Sequence, residues 1–368
     1  MFVSLNTNSF TDFDVLRLTF KTLHDIIQIK KLLFGGKKMI QPVILRDTKK
    51  EDWKKIRETM LSRIMETFGK SPVPLSPVKN DFYEVERYEN YGLTHIKIRY
   101  HVFDDEWSDA IIVLPENLDV SKPVPAVLTI HGTNNVIGKY GVLDIDGTPR
   151  RAYGIELAKR GFVTFSPDQY GFGEYMKTEE GKKDFDGFYE KYPNWSLRCR
   201  RVLGHMRAID VLMQLDYVKK DAIGAIGNSL GGGSVMYITA LDERVKCSVI
   251  STGISPYYSN VYRVIDKPHN QYLDPQVFDV IKQAGKAPWE LSEILSLCAP
   301  RPILCLEPFN DPYNPYVAET FECIHSAWQV YNLLEVPEKC AAYIHGDGHD
   351  TVDEVRDMAY DWLERFVK

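Results

Sequence analysis

The 368-residue chain has no uninterrupted apolar run of the ~18 residues that a membrane span requires. The apolar N-terminal stretch VLRLTFKTLHDIIQIKKLLF is broken by Arg17, Lys21, His24, Asp25, Lys30 and Lys31. A basic n-region, a clean apolar h-region and a small-residue cleavage site are also missing, which argues against a secretory signal. Positive charge is in deficit. Lys and Arg number 45 against 51 Asp and Glu, a net charge of -6, and phosphate neutralisation needs clustered cations, so nucleic acid is a poor candidate for the main partner. The pairs Lys30-Lys31 and Lys37-Lys38 read as solvated surface. Cysteine is sparse and unpatterned: Cys199, Cys247, Cys298, Cys305, Cys323 and Cys340 form no CxxC and no Cys/His cluster with zinc spacing. They read as free, mostly buried thiols of a reducing compartment, so a cytoplasmic location and no metal are expected.

What is present suits one large α/β domain. Residues 1–38 form an extension in which Leu16, Phe20, Leu23 and Ile27 share a helical face. Gly35-Gly36-Lys37-Lys38-Met39 is what a purine-rich ribosome-binding site and start codon would encode if read through, so Met39 is the expected start. Residues 39–80 make an N-terminal helix and linker. Asp47 or Thr48 stands as its cap, Trp53, Ile56, Met60, Ile64 and Phe68 recur every three or four residues, and Gly69 and Pro72 end it.

Residues 81–368 read as the catalytic domain. Strand patterns at 82–89, 95–103 and 110–116 suggest an antiparallel entry to a sheet. Strands at 126–132, 162–168, 222–229, 245–252, 301–307 and 340–346 then alternate with helices at 154–161, 200–215, after 229, at 316–334 and at 352–367, the pattern of parallel βαβ units. Segments 133–152, 172–199 and 254–296 fit neither pattern. Each follows the C-terminal end of a strand, where open α/β sheets bind ligands.

The stretch IGAIGNSLGGGSV (223–235) lacks the Lys of a phosphate-binding loop and the G-x-G-x-x-G dinucleotide fingerprint. Gly227-Asn228-Ser229-Leu230-Gly231 does match G-x-S-x-G between a strand and a helix, a setting that lifts a serine hydroxyl clear of the sheet. Gly227 and Gly231 are expected to avoid collision with the neighbouring strand and helix, and Gly232 and Gly233 to allow close packing of the helix start. A neutral serine needs a base, and His349 follows the last strand. The base needs an orienting acid. Asp311, in EPFNDPYNP, is preferred to its rival Glu307. The backbone N–H groups of Thr133, with Asn134 as an alternative, and Leu230 are candidates for an oxyanion hole. His131 reads as a loop-orienting residue.

HGT at 131–133, SPDQYGFGE at 166–174, GNSLGG at 227–232, APRPILCLEPFNDP at 299–312 and GDGH at 346–349 together resemble the α/β-hydrolase superfamily. The nearest resemblance is to dienelactone hydrolase-like and acetyl xylan esterase-like serine esterases. It implies an α/β-hydrolase fold, a mostly parallel central sheet with antiparallel N-terminal strands, helices on both faces and inserted cap loops. It also implies that Asp168 and Gly171 shape the sheet edge. Asn228 departs from the His, Gly or Trp often found before the nucleophile, and Ser229 departs from the cysteine of a dienelactone hydrolase proper. The expected activity is hydrolysis of a small-molecule or carbohydrate ester through an acyl-enzyme, with no cofactor. Tyr257, Tyr258, Tyr262 and Trp289 are expected to cap the acyl pocket. Two alternatives stand beside this: a prolyl-oligopeptidase-like peptidase and a non-catalytic binding protein on the same fold. Oligomeric state is not legible.

Overall fold

A computed structural model of the chain describes residues 40–133, 136–175, 185–257, 272–284 and 286–368. The chain divides into a first unit, Met1–Gln41, and a second, Pro42–Lys368. The expected start at Met39 lies outside the described residues. All elements that follow belong to the second unit.

The strands are β1 (Phe82–Asn90), β2 (Leu93–Phe103), β3 (Glu106–Val113), β4 (Val124–Ile130), β5 (Val163–Pro167), β6 (Val218–Asn228), β7 (Val245–Ser251), β8 (Ile303–Pro308) and β9 (Cys340–His345). The helices are α1 (Trp53–Phe68), α2 (Tyr153–Lys159), α3 (Phe185–Lys191), α4 (Leu197–Leu212), α5 (Leu230–Leu241), α6 (Pro275–Ala284), α7 (Leu291–Leu297), α8 (Val317–Leu333) and α9 (Asp353–Val367). The strands form one sheet in the order β1-β2-β3-β5-β4-β6-β7-β8-β9. β1, β2, β3 and β5 pair antiparallel, and the pairs from β5–β4 through β8–β9 are parallel. This is the α/β-hydrolase architecture anticipated from the sequence.

The strand sequences explain their places. β5, β7 and β8 are short, mainly apolar strands, buried on both faces except at Lys246, as expected where helices cover the sheet on either side. β1 alternates charged residues and lies exposed at one edge, where charge discourages pairing with another chain. Ile155 and Leu157 of α2 and Val355, Ala359 and Leu363 of α9 pack with Val127, Ile226, Val249 and Leu304 in one cluster. On the other side α5 lies between α4 and α7 and touches both, with α4 and α5 against the sheet.

β3 and β6 each begin four residues earlier than expected, at Glu106 and Val218, and two helix starts also differ from expectation. α1 begins at Trp53, after a single 3-10 turn at Lys50–Asp52. Neither Asp47 nor Thr48 caps it. The Thr48 hydroxyl instead accepts from the Leu45 N–H and closes a turn upstream. α4 begins three residues early, at Leu197, because the Ser196 hydroxyl accepts the Cys199 N–H as an N-cap. The 172–199 insertion therefore ends at Ser196. All six cysteines are unpaired and buried.

Candidate active site

Ser229 stands at the junction of β6 and α5 with φ 58 and ψ -120. A non-glycine residue in this region carries strain of about 1–3 kcal/mol that the surroundings must hold in place. They do so from three directions. The Ser229 N–H donates to Ser251 O at 2.8 Å and lies 2.9 Å from the Thr252 hydroxyl oxygen, while Ser229 O accepts from Gly233 N at 2.9 Å. The sharp turn brings backbones into contact. A Cβ on Gly231 would lie 2.2 Å from Ile130 O, and one on Gly232 would lie 2.3 Å from Ser251 O. Gly227 is similarly closed, at 2.6 Å from Gly231.

Gly233 differs from the expectation of close packing. A Cβ there would meet only Gly253 O at 3.7 Å, an ordinary contact. Gly233 instead lines the cavity next to Ser229, so its missing side chain keeps that space open. Gly233→Ala is expected to raise stability by about 0.5–1 kcal/mol through helix propensity. It should also cut kcat/KM for bulky esters about tenfold relative to acetate esters. Thermal unfolding and a two-substrate comparison check both effects.

The departure at Asn228 has a structural account. Its side-chain amide donates to the Thr252 hydroxyl at 2.8 Å and to the Ser251 hydroxyl at 3.2 Å. It therefore ties the elbow to the end of β7, the strand that also receives the Ser229 N–H.

His349 and Asp311 arrive on the loops after β9 and β8. The His349 Nδ1–H donates to Asp311 Oδ2 at 2.7 Å, and Asp311 Oδ1 accepts from Tyr313 N, also at 2.7 Å. Burial opposes ionisation of Asp311. The hydrogen bonds from His349 and from the Tyr313 and Asn314 backbones outweigh it and hold the carboxyl below its ordinary value. The Tyr313 ring meets the imidazole edge-on at 4.7 Å, and Arg151 donates to the His349 carbonyl at 3.2 Å. The rival Glu307 is turned elsewhere. Its Oε1 accepts from Gly253 N and Ile254 N, both at 3.2 Å. Burial, and then the neighbouring Asp311 charge, push the Glu307 carboxyl well above the ordinary range.

Ser229, Leu230, Thr133, Asp311 and His349 all line one cavity of about 650 Å³, a size suited to a small organic substrate. A Cβ on Gly132 would lie 3.6 Å from Ser229 Cβ, so the chain entering Thr133 runs beside the serine. Leu230 opens α5, where N–H groups have no helical acceptor. Asn134 lies outside the described residues. His131 is buried. Its Nδ1–H donates to Gly132 O at 2.7 Å and its Nε2 accepts from Gln169 N at 3.1 Å, which fixes the loop. Asp168, just after β5, holds Lys139 in a buried pair at 2.6 Å and accepts from Glu174 N at 3.1 Å, so it ties the 133–152 and 172–199 segments to the sheet edge.

The aromatic residues read as a cap fall differently. Tyr258 and Tyr262 lie outside the described residues. Tyr257 and Trp289 are buried against each other with ring centroids 5.3 Å apart, and neither lines the cavity. Tyr237, Tyr272 and Tyr313 line it instead, together with Arg151 and Arg198. Sequence reading missed these five. Only Tyr237 carried a usable signal, since it lies eight residues beyond Ser229 on the same helix.

A nine-stranded α/β sheet, a strained serine at its elbow and an Asp–His pair in the same cavity define a hydrolase-type architecture. The chain belongs to the Abhydrolase family, whose model matches residues 36–342. It is 30% identical over 273 residues, 71% of this chain and 84% of the relative, to YtaP of Bacillus subtilis (strain 168), a protein with a hydrolase name. A glucuronoyl esterase from Solibacter usitatus superposes with a TM-score of 0.68 at 15% identity, covering 89% of this chain and 98% of that one. Acetyl xylan esterase 1 from Thermoanaerobacterium sp. JW/SL YS485 superposes with a TM-score of 0.52 at 15% identity, covering 86% and 93%. At these identities the structural likeness speaks to the fold.

Proposed function

We propose that the chain is a serine esterase acting on a carbohydrate-type carboxylic ester through an acyl-enzyme. One observation carries the reading: Ser229 on its strained turn shares a 650 Å³ cavity with a hydrogen-bonded His349–Asp311 pair. Ser229 attacks the ester carbonyl and His349 takes its proton at Nε2. Asp311, bound at Nδ1, fixes the tautomer and stabilises the imidazolium. The N–H groups of Thr133 and Leu230 receive the developing oxyanion. The alcohol leaves with the proton from His349, and the same imidazole then activates water to release the acid.

The sugar-ester substrate class is supported by the glucuronoyl and acetyl xylan esterases that share the fold. The tyrosines of the cavity wall give it faces that suit a sugar ring. A fluorophosphonate probe should label the folded protein at one serine. A panel of acetylated sugars, uronate esters, short-chain aryl esters and aminoacyl amides should then rank esters above amides in kcat/KM. Labelling absent from folded protein rejects the serine-enzyme reading, and amides ranked first replace esterase with peptidase.

A further inference from the structure

We propose that Arg198 forms an anion subsite in the Ser229 cavity, so that the preferred ester also carries a carboxylate. This rests on the esterase reading and adds a substrate class to it. Arg198 sits on the first turn of α4. Its guanidinium lies over the Tyr237 ring at 4.4 Å, and its Nε is 2.7 and 2.6 Å from the two carboxylate oxygens of Asp274. Its Nη2 pairs with Asp274 as well. Asp274 is itself buried and accepts the Tyr257 hydroxyl at 3.2 Å. One edge and one face of the guanidinium are thereby fixed. The Nη1 makes no hydrogen bond to any described residue, and the side chain keeps 11% of its surface, on a residue that lines the cavity. An immobilised guanidinium with a free edge is matched to a carboxylate.

Position and charge point the same way. Ser229, Gly233 and Tyr237 are spaced by four along one face of α5, and all line the cavity. Two helical turns, about 12 Å of rise, separate the first from the last. Gly233 leaves the path between them clear. Among the described residues that line the cavity, the cations are Arg151 and Arg198, and the one carboxylate is Asp311, already bound to His349. A bound ester therefore meets two guanidinium groups, whose carboxylate partners Asp274 and Asp350 are not among the described lining residues, and no uncommitted carboxylate. The competing account makes Arg198–Asp274 only a clamp between the start of α4 and the 254–296 insertion. A clamp sets stability and does not discriminate substrates by charge.

Matched ester pairs separate the two. The first compares p-nitrophenyl hemiglutarate with p-nitrophenyl valerate, placing the anion in the acyl part. The second compares 4-acetoxybenzoate with its methyl ester, placing it in the alcohol part. At least one pair should favour the anion roughly 10- to 100-fold in kcat/KM. That ratio should collapse in Arg198→Lys, which keeps a cation for Asp274 but has no second planar edge. It should collapse too in the double variant Arg198→Met/Asp274→Leu, which leaves no buried charge unpaired. Independently, glutarate should bind the Ser229→Ala protein in calorimetry and lose that binding when Arg198→Lys is added. Ester hydrolysis with no anionic preference in either pair and no glutarate binding overturns the subsite and leaves the esterase standing. Glutarate binding through Arg198 in a protein that hydrolyses no ester does the reverse.

Discussion

Ser229→Ala is expected to lower kcat for ester hydrolysis by roughly 10⁴- to 10⁶-fold, the range seen when a serine nucleophile is removed from a working triad. The fold should tolerate the change. Hydrogen bonds that hold residue 229 run through its backbone, to Ser251 O, the Thr252 hydroxyl and Gly233 N, and alanine keeps all three. Stability should therefore stay within about 0.5 kcal/mol of the parent. Ser229→Gly separates strain from chemistry. It removes the Cβ penalty at φ 58 and should gain up to about 1–2 kcal/mol, while being as inactive as the alanine variant. Thermal unfolding, fluorophosphonate labelling and kcat on p-nitrophenyl acetate read the three properties separately. Full turnover by Ser229→Ala would place the nucleophile elsewhere.

The sequence made the frame of this molecule readable wherever the physics is local. β5, β7 and β8 are mainly apolar runs, so their burial as strands was readable, although Lys246 stays partly exposed and Glu307 is buried against its charge. The elbow was readable because a tight strand-to-helix turn demands small residues at 227, 231 and 232, each closed to a Cβ by backbone. His349 and Asp311 were placed by the loops that follow β9 and β8, and the structure brings both into the cavity that Ser229 lines. The cavity wall was not readable. Arg198 sits among the basic residues of SLRCRR, at the end of a segment that fits neither a strand nor a helix pattern. Its burial depends on Asp274, 76 residues away on the 254–296 insertion. Tyr257 and Trp289 looked like pocket aromatics because long loops are expected at the surface. They turn inward because the 254–296 insertion contains α6 and α7 and needs a core of its own. Contacts between inserted segments follow no periodicity, so composition alone could not sort wall from core. The start of α4 was misplaced for a different reason. The expected helix opened at Arg200, and the Ser196 cap that adds Leu197, Arg198 and Cys199 before it lies in a stretch with no apolar rhythm.

Asp311→Asn and Glu307→Gln are expected to separate the two acids that stand near the end of β8. Asp311 is buried and accepts the His349 Nδ1–H at 2.7 Å. An amide in its place supplies no charge for the imidazolium and can present its NH₂ to Nδ1, which favours the wrong tautomer. The expected loss in kcat is about 10⁴-fold. The same substitution has a signature in stability. The hydrogen bond from His349 and those from the backbone hold the Asp311 carboxyl below its ordinary value despite burial. Its contribution to stability is therefore present above about pH 4 and is lost as the pH falls through the lowered folded value. The gap in unfolding free energy between parent and Asp311→Asn should accordingly close on acidification. Glu307→Gln should do neither. Burial, followed by repulsion from Asp311, pushes the Glu307 carboxyl well above the usual range, so glutamine replaces a group that resists carrying charge. It also keeps the oxygen that accepts from Gly253 N and Ile254 N. Turnover within about tenfold of the parent is expected, since the N–H acceptor survives and only a neutral donor changes. A collapse of activity in Glu307→Gln with Asp311→Asn little affected would transfer the orienting role to the strand-end glutamate.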